Sequence, residues 1–344
     1  MIRSRVQPLP RRNYPTNTPS APAPDFENED LDTDSEEPED IFGAFFPYLF
    51  PDDTPSFHGD PGQHLLYSST RYGDLDIMVP TYPGSSEKRS VEAAAGPKTN
   101  DPVNHVEEGR KLFAHFLWSA AMVVAEGIEE ADTPTAPGET ETEFKKEAKQ
   151  IWNVKGESVL ELGAGAALPS VLCALANAST VIATDHPSSP ALSGAIAFNM
   201  EYNVAKRTPP VAGTVSMHPH EWGVLDDPFS VANKGAFTRI VAADCFWMRS
   251  QHHNLARTMQ WFLSPGGKVL IAAAFHTGRA IVAGFFEMAV ENGFVIEKIY
   301  ERDLVSSTED GGEIRREWVP FREGEGVENQ KRWCVVAVLK RKGE

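Results

Sequence analysis

Two kinds of apolar pattern occur along the chain after residue 110, and they alternate from residue 158 onward. Short runs rich in β-branched residues predict strands at 158–163, 180–185, 211–218, 238–244, 268–275, 294–303 and 331–342. Runs with apolar residues at helical spacing predict helices at 111–131, 168–178, 190–204, 251–263 and 279–293. Strands and helices that alternate at this spacing form parallel pairs joined by crossover helices. The pattern therefore predicts an α/β fold with a doubly wound, mostly parallel sheet of seven strands.

The start of the chain lacks this alternation. Residues 1–39 contain four arginines near their beginning, many acidic residues and almost no large apolar side chains. Such a segment buries too little apolar surface to offset the entropy lost on ordering. We predict a disordered acidic tail at 1–39, followed by a single domain at 40–344.

Parts of that domain are also predicted to be irregular. Its first 70 residues, 40–109, form an irregular N-terminal extension. Its aromatic and proline-rich beginning at 40–53 is predicted to be an apolar strap, and Gly73 to Pro102 a loop because of its glycines and prolines. A polar insertion is predicted at 133–143.

Composition narrows the functional classes. The net charge is −17, which disfavours nucleic-acid binding and favours cationic partners. No apolar run approaches the roughly 20 residues of a membrane-spanning helix, and the start of the chain lacks the apolar core of a secretory signal. The three cysteines are far apart, which excludes a disulfide framework or a cysteine-built zinc site. We expect a cytoplasmic protein with neither a nucleic-acid nor a membrane partner.

A glycine turn is the sharpest local signal. The predicted strand at 158–163 runs into Gly163-Ala164-Gly165, where glycines allow a tight turn and a close approach to a ligand. Asp185 ends the next strand, where a carboxylate can accept hydrogen bonds from the ribose hydroxyls of an adenosine ligand. A glycine turn with such an acid can bind NAD, FAD or S-adenosylmethionine.

Two residues favour S-adenosylmethionine among these. Dinucleotide turns usually carry a third glycine, and here Leu168 takes that position. Glu161 precedes the turn by two residues, where a carboxylate would repel a pyrophosphate and attract the methionyl ammonium of S-adenosylmethionine. A dinucleotide site and a tight turn without ligand remain the alternatives.

Eight stretches of sequence together carry a family resemblance over roughly 40–342. They are DIFGAFFPYLFPDD, HFLWSAAMVVAEGI, VLELGAGAALPS, TDHP, the pair Asn199 and Asn203, HEWG, AADCFW and SQHHNL. With them the chain resembles the class I S-adenosylmethionine-dependent methyltransferases, and within these the lysine methyltransferase-like group called methyltransferase family 16. It is most similar there to fungal proteins described as nicotinamide N-methyltransferase-like or as elongation factor 1-alpha N-terminal and lysine methyltransferases.

The resemblance implies a set of roles. The residues implied to bind the cofactor, together with Glu161 from the charge argument above, are Trp118, Glu161, Gly163, Ala164, Gly165, Asp185, Trp222 and Ala243. Asp244 and Trp247 match an Asp-x-x-Tyr signature that ends here in tryptophan, and they are implied to hold the substrate amine. Ordinary structural roles are the alternatives: core or sheet-capping aromatic residues for Trp118 and Trp222, and a helix N-cap for Asp244. The adjacent pair His252 and His253 cannot share a helix face, so no metal site is predicted.

The resemblance implies transfer of a methyl group from a sulfonium to an amine. The first hypothesis is a methyltransferase acting on a lysine or N-terminal amine of a basic protein, including elongation factor 1-alpha. The second is a small-molecule N-methyltransferase for nicotinamide-like or secondary-metabolite amines, which Phe246 and Trp247 would suit as pocket walls. The third is a non-catalytic protein that binds S-adenosylmethionine. In each case we expect a monomer.

Overall fold

The computed structural model describes residues 2–9, 57–81, 116–136, 138, 140–308 and 312–343. Thirteen strands lie within these ranges: β1 Val6–Pro8, β2 Phe57–His58, β3 His64–Ser69, β4 Gly73–Met78, β5 Leu117–Trp118, β6 Ser158–Leu162, β7 Thr180–Asp185, β8 Thr214–Pro219, β9 Phe237–Ala243, β10 Leu263–Ala274, β11 Phe294–Ser307, β12 Glu313–Arg316 and β13 Trp333–Arg341.

Eight helices accompany these strands in the same ranges: α1 Ser119–Asp132, α2 Glu143–Trp152, α3 Leu168–Leu175, α4 192–205, α5 Pro228–Ala232, α6 His252–Phe262, α7 Arg279–Glu291 and α8 Val327–Lys331. Helix α4 is continuous, with a π-helical turn at each end of a central α-helical turn. Short 3-10 turns occupy Ile2–Arg5 and Arg249–Gln251.

The main sheet has the strand order β12-β11-β13-β10-β9-β6-β7-β8. Strands β8, β7, β6, β9 and β10 are parallel, whereas β13, β11 and β12 pair antiparallel at one side. All seven predicted strands are present, and β12 adds an eighth from a stretch with no strand prediction. The predicted fold class is confirmed.

Helices cover both faces of this sheet. One apolar core lies between the sheet and α1, α2 and α3, and it also takes up the β3–β4 hairpin. The other lies under α6 and α7, with Phe262 and Phe285 fully buried in it. The chain leaves β6 first toward β7 and later returns to place β9 on the other side of β6. Ligands of doubly wound sheets bind at the carboxyl ends of the strands where the order reverses in this way.

The N-terminal predictions need correction where the structure describes them. Residues 6–8, placed in the disordered tail, form β1 and pair with β3, and Arg5 forms ion pairs with Glu126 and Glu129 on α1. Gly73–Met78, placed in a loop, is strand β4. The low apolar content of the first segment, and the glycines and prolines around the second, suggested irregular chain, but long-range pairing supplies the hydrogen bonds. The predicted strap at 40–53 and the boundaries at 39/40 and 109 lie outside the described residues.

Two further boundaries differ from the prediction. The helix predicted from residue 111 begins at Ser119, because Leu117 and Trp118 are extended and pair with β2. Helix α2 begins at Glu143, at the end of the predicted polar insertion, and Thr142 caps it by accepting a hydrogen bond from the backbone N–H of Lys145. Apolar side chains of α2, including Trp152, complete the core beside α1.

Candidate active site

A cleft opens at the carboxyl ends of β6, β7 and β9, where the strand order reverses. Its empty volume, including the open mouth, is about 760 Å³. Its lining residues are Phe116, Trp118, Gly163, Gly165, Asp185, His186, His220, Glu221, Trp222, Ala243, Asp244, Cys245, Trp247, Met248 and Gln251. Three carboxylates and four large aromatic side chains are among them, and none of these lining residues is a lysine or arginine.

Backbone conformation explains the glycine turn. Gly163 has φ +66°, and a Cβ placed on it would lie 3.1 Å from the indole ring of Trp222 and 3.2 Å from Sγ of Cys245. Gly165 has φ +53°, but a Cβ there would meet no heavy atom within 4 Å. The first glycine therefore makes room for the wall of the cleft, and the second leaves open space next to the backbone where a ligand fits.

Asp185 is tied to this turn. Its Oδ2 accepts a hydrogen bond of 2.9 Å from the backbone N–H of Gly165, and its Oδ1 accepts one of 2.7 Å from the N–H of His186. Burial raises the pKa of Asp185, and these backbone donors oppose the rise. Each carboxylate oxygen can accept a further hydrogen bond, which fits a diol such as the ribose of an adenosine ligand.

The side chain of Glu161, on strand β6, is buried against the start of α3. Its Oε2 accepts a 3.0 Å hydrogen bond from the backbone N–H of Ser170 and a short one from the Ser170 hydroxyl. Burial raises the pKa of Glu161 to about 8, and Ser170 opposes the rise. The carboxyl group accepts a hydrogen bond from the N–H of Ser170 at the helix N-terminus. A pyrophosphate needs N–H donors of this kind, and this one is already used. This placement disfavours the dinucleotide alternative.

Asp244 follows β9 in the left-handed region, with φ +54°. Its Oδ1 accepts a 2.8 Å hydrogen bond from the N–H of Ala274 at the end of β10 and lies 3.7 Å from Nδ1 of His276. Burial raises the pKa of Asp244, and His276 and nearby backbone N–H groups oppose the rise. No helix begins directly after Asp244, so its carboxylate does not cap a following helix. It joins the ends of β9 and β10 at the cleft and interacts with the backbone N–H of Ala120 in the first turn of α1.

Aromatic rings form the walls of the cleft. Trp118 stacks on His276 with ring centroids 4.4 Å apart, which connects the end of β5 to the loop beside Asp244. Trp222 and Trp247 are half-buried in the lining. Phe246 does not contribute, because it stacks on Phe285 at 3.7 Å in the core under α7. The expectation that Phe246 lines the pocket is wrong.

The structure brings the predicted site residues together. Eight of the ten line the cleft, and Glu161 and Ala164 line a smaller recess that shares Gly163 and Gly165 with it. Whether they bind cofactor and substrate stays a prediction.

Several lining residues had no prediction. His186 and Glu221 approach each other at 3.7 Å across the loops after β7 and β8, and Phe116, His220, Cys245, Met248 and Gln251 complete the set. Their adjacency in sequence to predicted residues was the available signal.

The chain matches the lysine methyltransferase family over residues 98–292, more than half of its length. The chain belongs to this family. It is therefore an enzyme that transfers methyl groups, and its cofactor is S-adenosylmethionine. These predictions are confirmed.

Curated relatives are similar over most of their length. A protein N-terminal and lysine N-methyltransferase, EFM7, of Gibberella zeae is 27% identical over 68% of this chain and 85% of its own. The EFM7 protein of Yarrowia lipolytica is 28% identical over 64% of this chain and 80% of its own. The TehB-like S-adenosylmethionine-dependent methyltransferase of Corynebacterium glutamicum is similar in structure at 16% identity, with a TM-score of 0.39 over 75% of this chain and 96% of that chain.

Two features are absent from the described ranges. No group of three or more histidine, cysteine, aspartate or glutamate side chains there is placed to hold a metal ion. None of the helices in those ranges is both long and apolar enough to cross a membrane.

Proposed function

We propose that the enzyme methylates a lysine ε-amine or an N-terminal α-amine of a protein. The observation that carries this proposal is the charge of the cleft: Asp185, Glu221 and Asp244 line it, without a lysine or arginine among the described lining residues. Both reactants are cationic at some stage, since the cofactor is a sulfonium and the acceptor is an amine. The printed names of the relatives, protein N-terminal and lysine N-methyltransferase, support the same acceptor class.

The cofactor fits the residues around the glycine turn. We assign Asp185 to the ribose hydroxyls, Trp222 to the adenine face and Glu161 to the methionyl ammonium. Ala243, at the end of β9, and Trp118 bound the space between them. When bound, S-adenosylmethionine supplies an electrophilic methyl group, and the protein positions and desolvates the two reactants.

Asp244 and Trp247 are assigned to the acceptor amine. Asp244 is fixed by Ala274 and buried beside the cleft, so its position is set before the substrate arrives. There it holds the ammonium by charge and accepts a proton as the amine becomes neutral. Trp247 offers a ring face for a cation–π contact of about 0.5–2 kcal/mol. An α-amine, with a pKa of about 7.7–8.0, needs less help than a lysine at about 10.4.

The acceptor is expected to be a basic segment. The chain carries a net charge of −17, and Glu221 adds an exposed carboxylate at the mouth of the cleft. Opposite charge on the partner accelerates encounter. Elongation factor 1-alpha is the first acceptor to test, on the resemblance alone, and the enzyme is expected to act as a monomer in the cytoplasm. The small-molecule alternative loses one of its two supports, because Phe246 faces the core.

The test is transfer of a radioactive methyl group from S-adenosylmethionine. The purified enzyme is incubated with a cell extract, and label is measured separately in protein bands and in the small-molecule fraction. We expect labelled protein with the wild type and with Asp226→Asn, which changes an exposed carboxylate outside the cleft. Asp244→Asn should lower the label at least tenfold. Label confined to small molecules, or equal labelling by both variants, contradicts the assignment.

A further inference from the structure

Helix α4 holds the edge of the N-terminal hairpin through two buried asparagines. Asn199 and Asn203 lie one turn apart, and both are buried. The Asn199 amide accepts from the N–H of Met78 at 2.7 Å and donates to its carbonyl at 2.9 Å. Asn203 does the same with Asp76 at 3.1 and 2.8 Å. Strand β4 is the edge of its three-stranded sheet, so the two side chains replace a neighbouring strand.

Only one of the two amides also reaches the glycine turn. Nδ2 of Asn199 donates a 2.7 Å hydrogen bond to the carbonyl of Ala166, directly after Gly165. The third hydrogen bond of Asn203 goes back to the carbonyl of Asn199 at 3.0 Å and stays within α4. The two residues thus have the same chemistry, similar burial and the same kind of hairpin contact. They differ in the bond to the turn.

The backbone conformation of the glycine turn explains why it needs this hydrogen bond. Gly163, Gly165 and Ala167 all have positive φ, and Ala167 is not a glycine. A bond to the carbonyl of Ala166 fixes the orientation of the peptide group that joins Ala166 to Ala167. The same segment presents the N–H of Gly165 to Asp185 at 2.9 Å. A shift at Ala166 would therefore move the open face of the turn and the acid beside it.

The hairpin that Asn199 connects to the turn is itself anchored on several sides. Strand β3 pairs with β1, and His64 bonds to Asp76 across the hairpin at 2.6 Å between Nδ1 and Oδ1. The hairpin core packs with α1 and α3. The hairpin is therefore a fixed support, and the Asn199 amide holds the glycine turn at a set position relative to it.

We propose that Asn199 is a positioning residue for S-adenosylmethionine, and that the N-terminal hairpin is through it a structural part of the cofactor site. The inference rests on the proposed placement of the cofactor at the glycine turn. Asn199 lines neither the cleft nor the smaller recess beside it. Its loss should therefore raise the dissociation constant and KM for S-adenosylmethionine while kcat at saturating cofactor changes little.

The test compares Asn199→Ala with Asn203→Ala, since each substitution removes three hydrogen bonds. Dissociation constants are measured by titration calorimetry without an acceptor, at a temperature where denaturant unfolding shows both variants fully folded. We expect Asn199→Ala to weaken cofactor binding at least tenfold and Asn203→Ala less than threefold, at a similar loss of stability. Equal weakening by both variants, or unchanged binding by Asn199→Ala, overturns the proposal.

Two provisions keep the result interpretable. If Asn199→Ala does not fold, Asn199→Ser replaces it under the same criteria, because its shorter side chain cannot span Met78 and Ala166 together. Wild type and Asp185→Ala are titrated in the same way. If Asp185→Ala binds S-adenosylmethionine as tightly as wild type, the cofactor lies elsewhere. That result would refute the assumed cofactor site, whereas a failure of the Asn199 comparison alone would leave that site in place.

Discussion

Replacement of Glu161 by glutamine should stabilise the protein in a pH-dependent way. The carboxyl group is 2% exposed and its partners are the N–H and hydroxyl of Ser170. Burial raises its pKa from the ordinary value of 4.5 to about 8. Glutamine has nearly the same shape, still accepts from Ser170 and never ionises. The variant therefore mimics the protonated form of Glu161 at every pH.

The magnitude follows from the difference in pKa between the folded and unfolded chain. A carboxyl group whose folded pKa is raised contributes stability that is complete below 4.5 and is lost as the pH rises through about 8. Each pH unit in that window costs about 1.4 kcal/mol. Ionisation in the unfolded chain thus lowers the free energy of unfolding by about 1 kcal/mol at pH 5 and about 3 kcal/mol at pH 7. Glu161→Gln should recover these amounts.

The assay is urea unfolding of wild type and Glu161→Gln at pH 5, 7 and 9, without cofactor. The difference between them should grow from pH 5 to pH 7 and level off above pH 8. Ser170→Ala is the matched control, since it removes the hydroxyl partner and leaves the acid in place. A pH-independent difference, or a less stable glutamine variant at pH 7, would refute the reasoning. Since the same acid is assigned to the cofactor ammonium, the stabilised variant should also bind S-adenosylmethionine more weakly.

Three substitutions test other parts of the structure. Gly163→Ala should weaken cofactor binding at least tenfold by calorimetry, because its φ of +66° and the indole 3.1 Å from the new Cβ both oppose it; binding like wild type would contradict the assigned turn. Gly127→Ala should destabilise by about 1–3 kcal/mol despite better helix propensity, since its Cβ would lie 2.6 Å from the ring of Trp152, and a higher melting temperature would refute this. Arg5→Ala should cost about 2–3 kcal/mol in denaturant unfolding, because it leaves the carboxylate of Glu129, 1% exposed, without its cation; an unchanged midpoint would show that the N-terminal segment is not docked in solution.

The catalytic half of the fold was predictable because its signals are local. Apolar runs of the right length predicted the seven strands of the sheet, and the observed strand Thr180–Asp185 has the predicted limits. The glycine turn and Asp185 were also recognisable, since a tight turn after a strand needs glycines and its acid ends the next strand. Parallel strands then bring these residues together, because their carboxyl ends meet at one edge of the sheet.

The N-terminal half was not predictable in the same way. Residues 6–8 have no strand signal of their own, and β3 and β4 lie among glycines and prolines. They are ordered by bonds across more than a hundred positions, such as those from Asn199 to Met78 and from Arg5 to Glu129. The direction of the Phe246 ring was not predictable either. Asp244 has a left-handed backbone conformation, and Phe246, two residues later, packs on Phe285 in the core.

The sequence by itself determined the order of seven strands of the main sheet and of the helices predicted between them, the glycine turn and the acid that accompanies it, and it favoured S-adenosylmethionine as the cofactor. These properties depend on spacing along the chain, which sets secondary structure and the end of the sheet at which each residue lies. Tertiary structure decided the burial of Glu161 at the helix start, the support of the turn by the hairpin and the mixture of carboxylates and rings in the cleft. Each of these depends on which distant groups share a small volume, because burial and hydrogen-bond geometry set pKa and position.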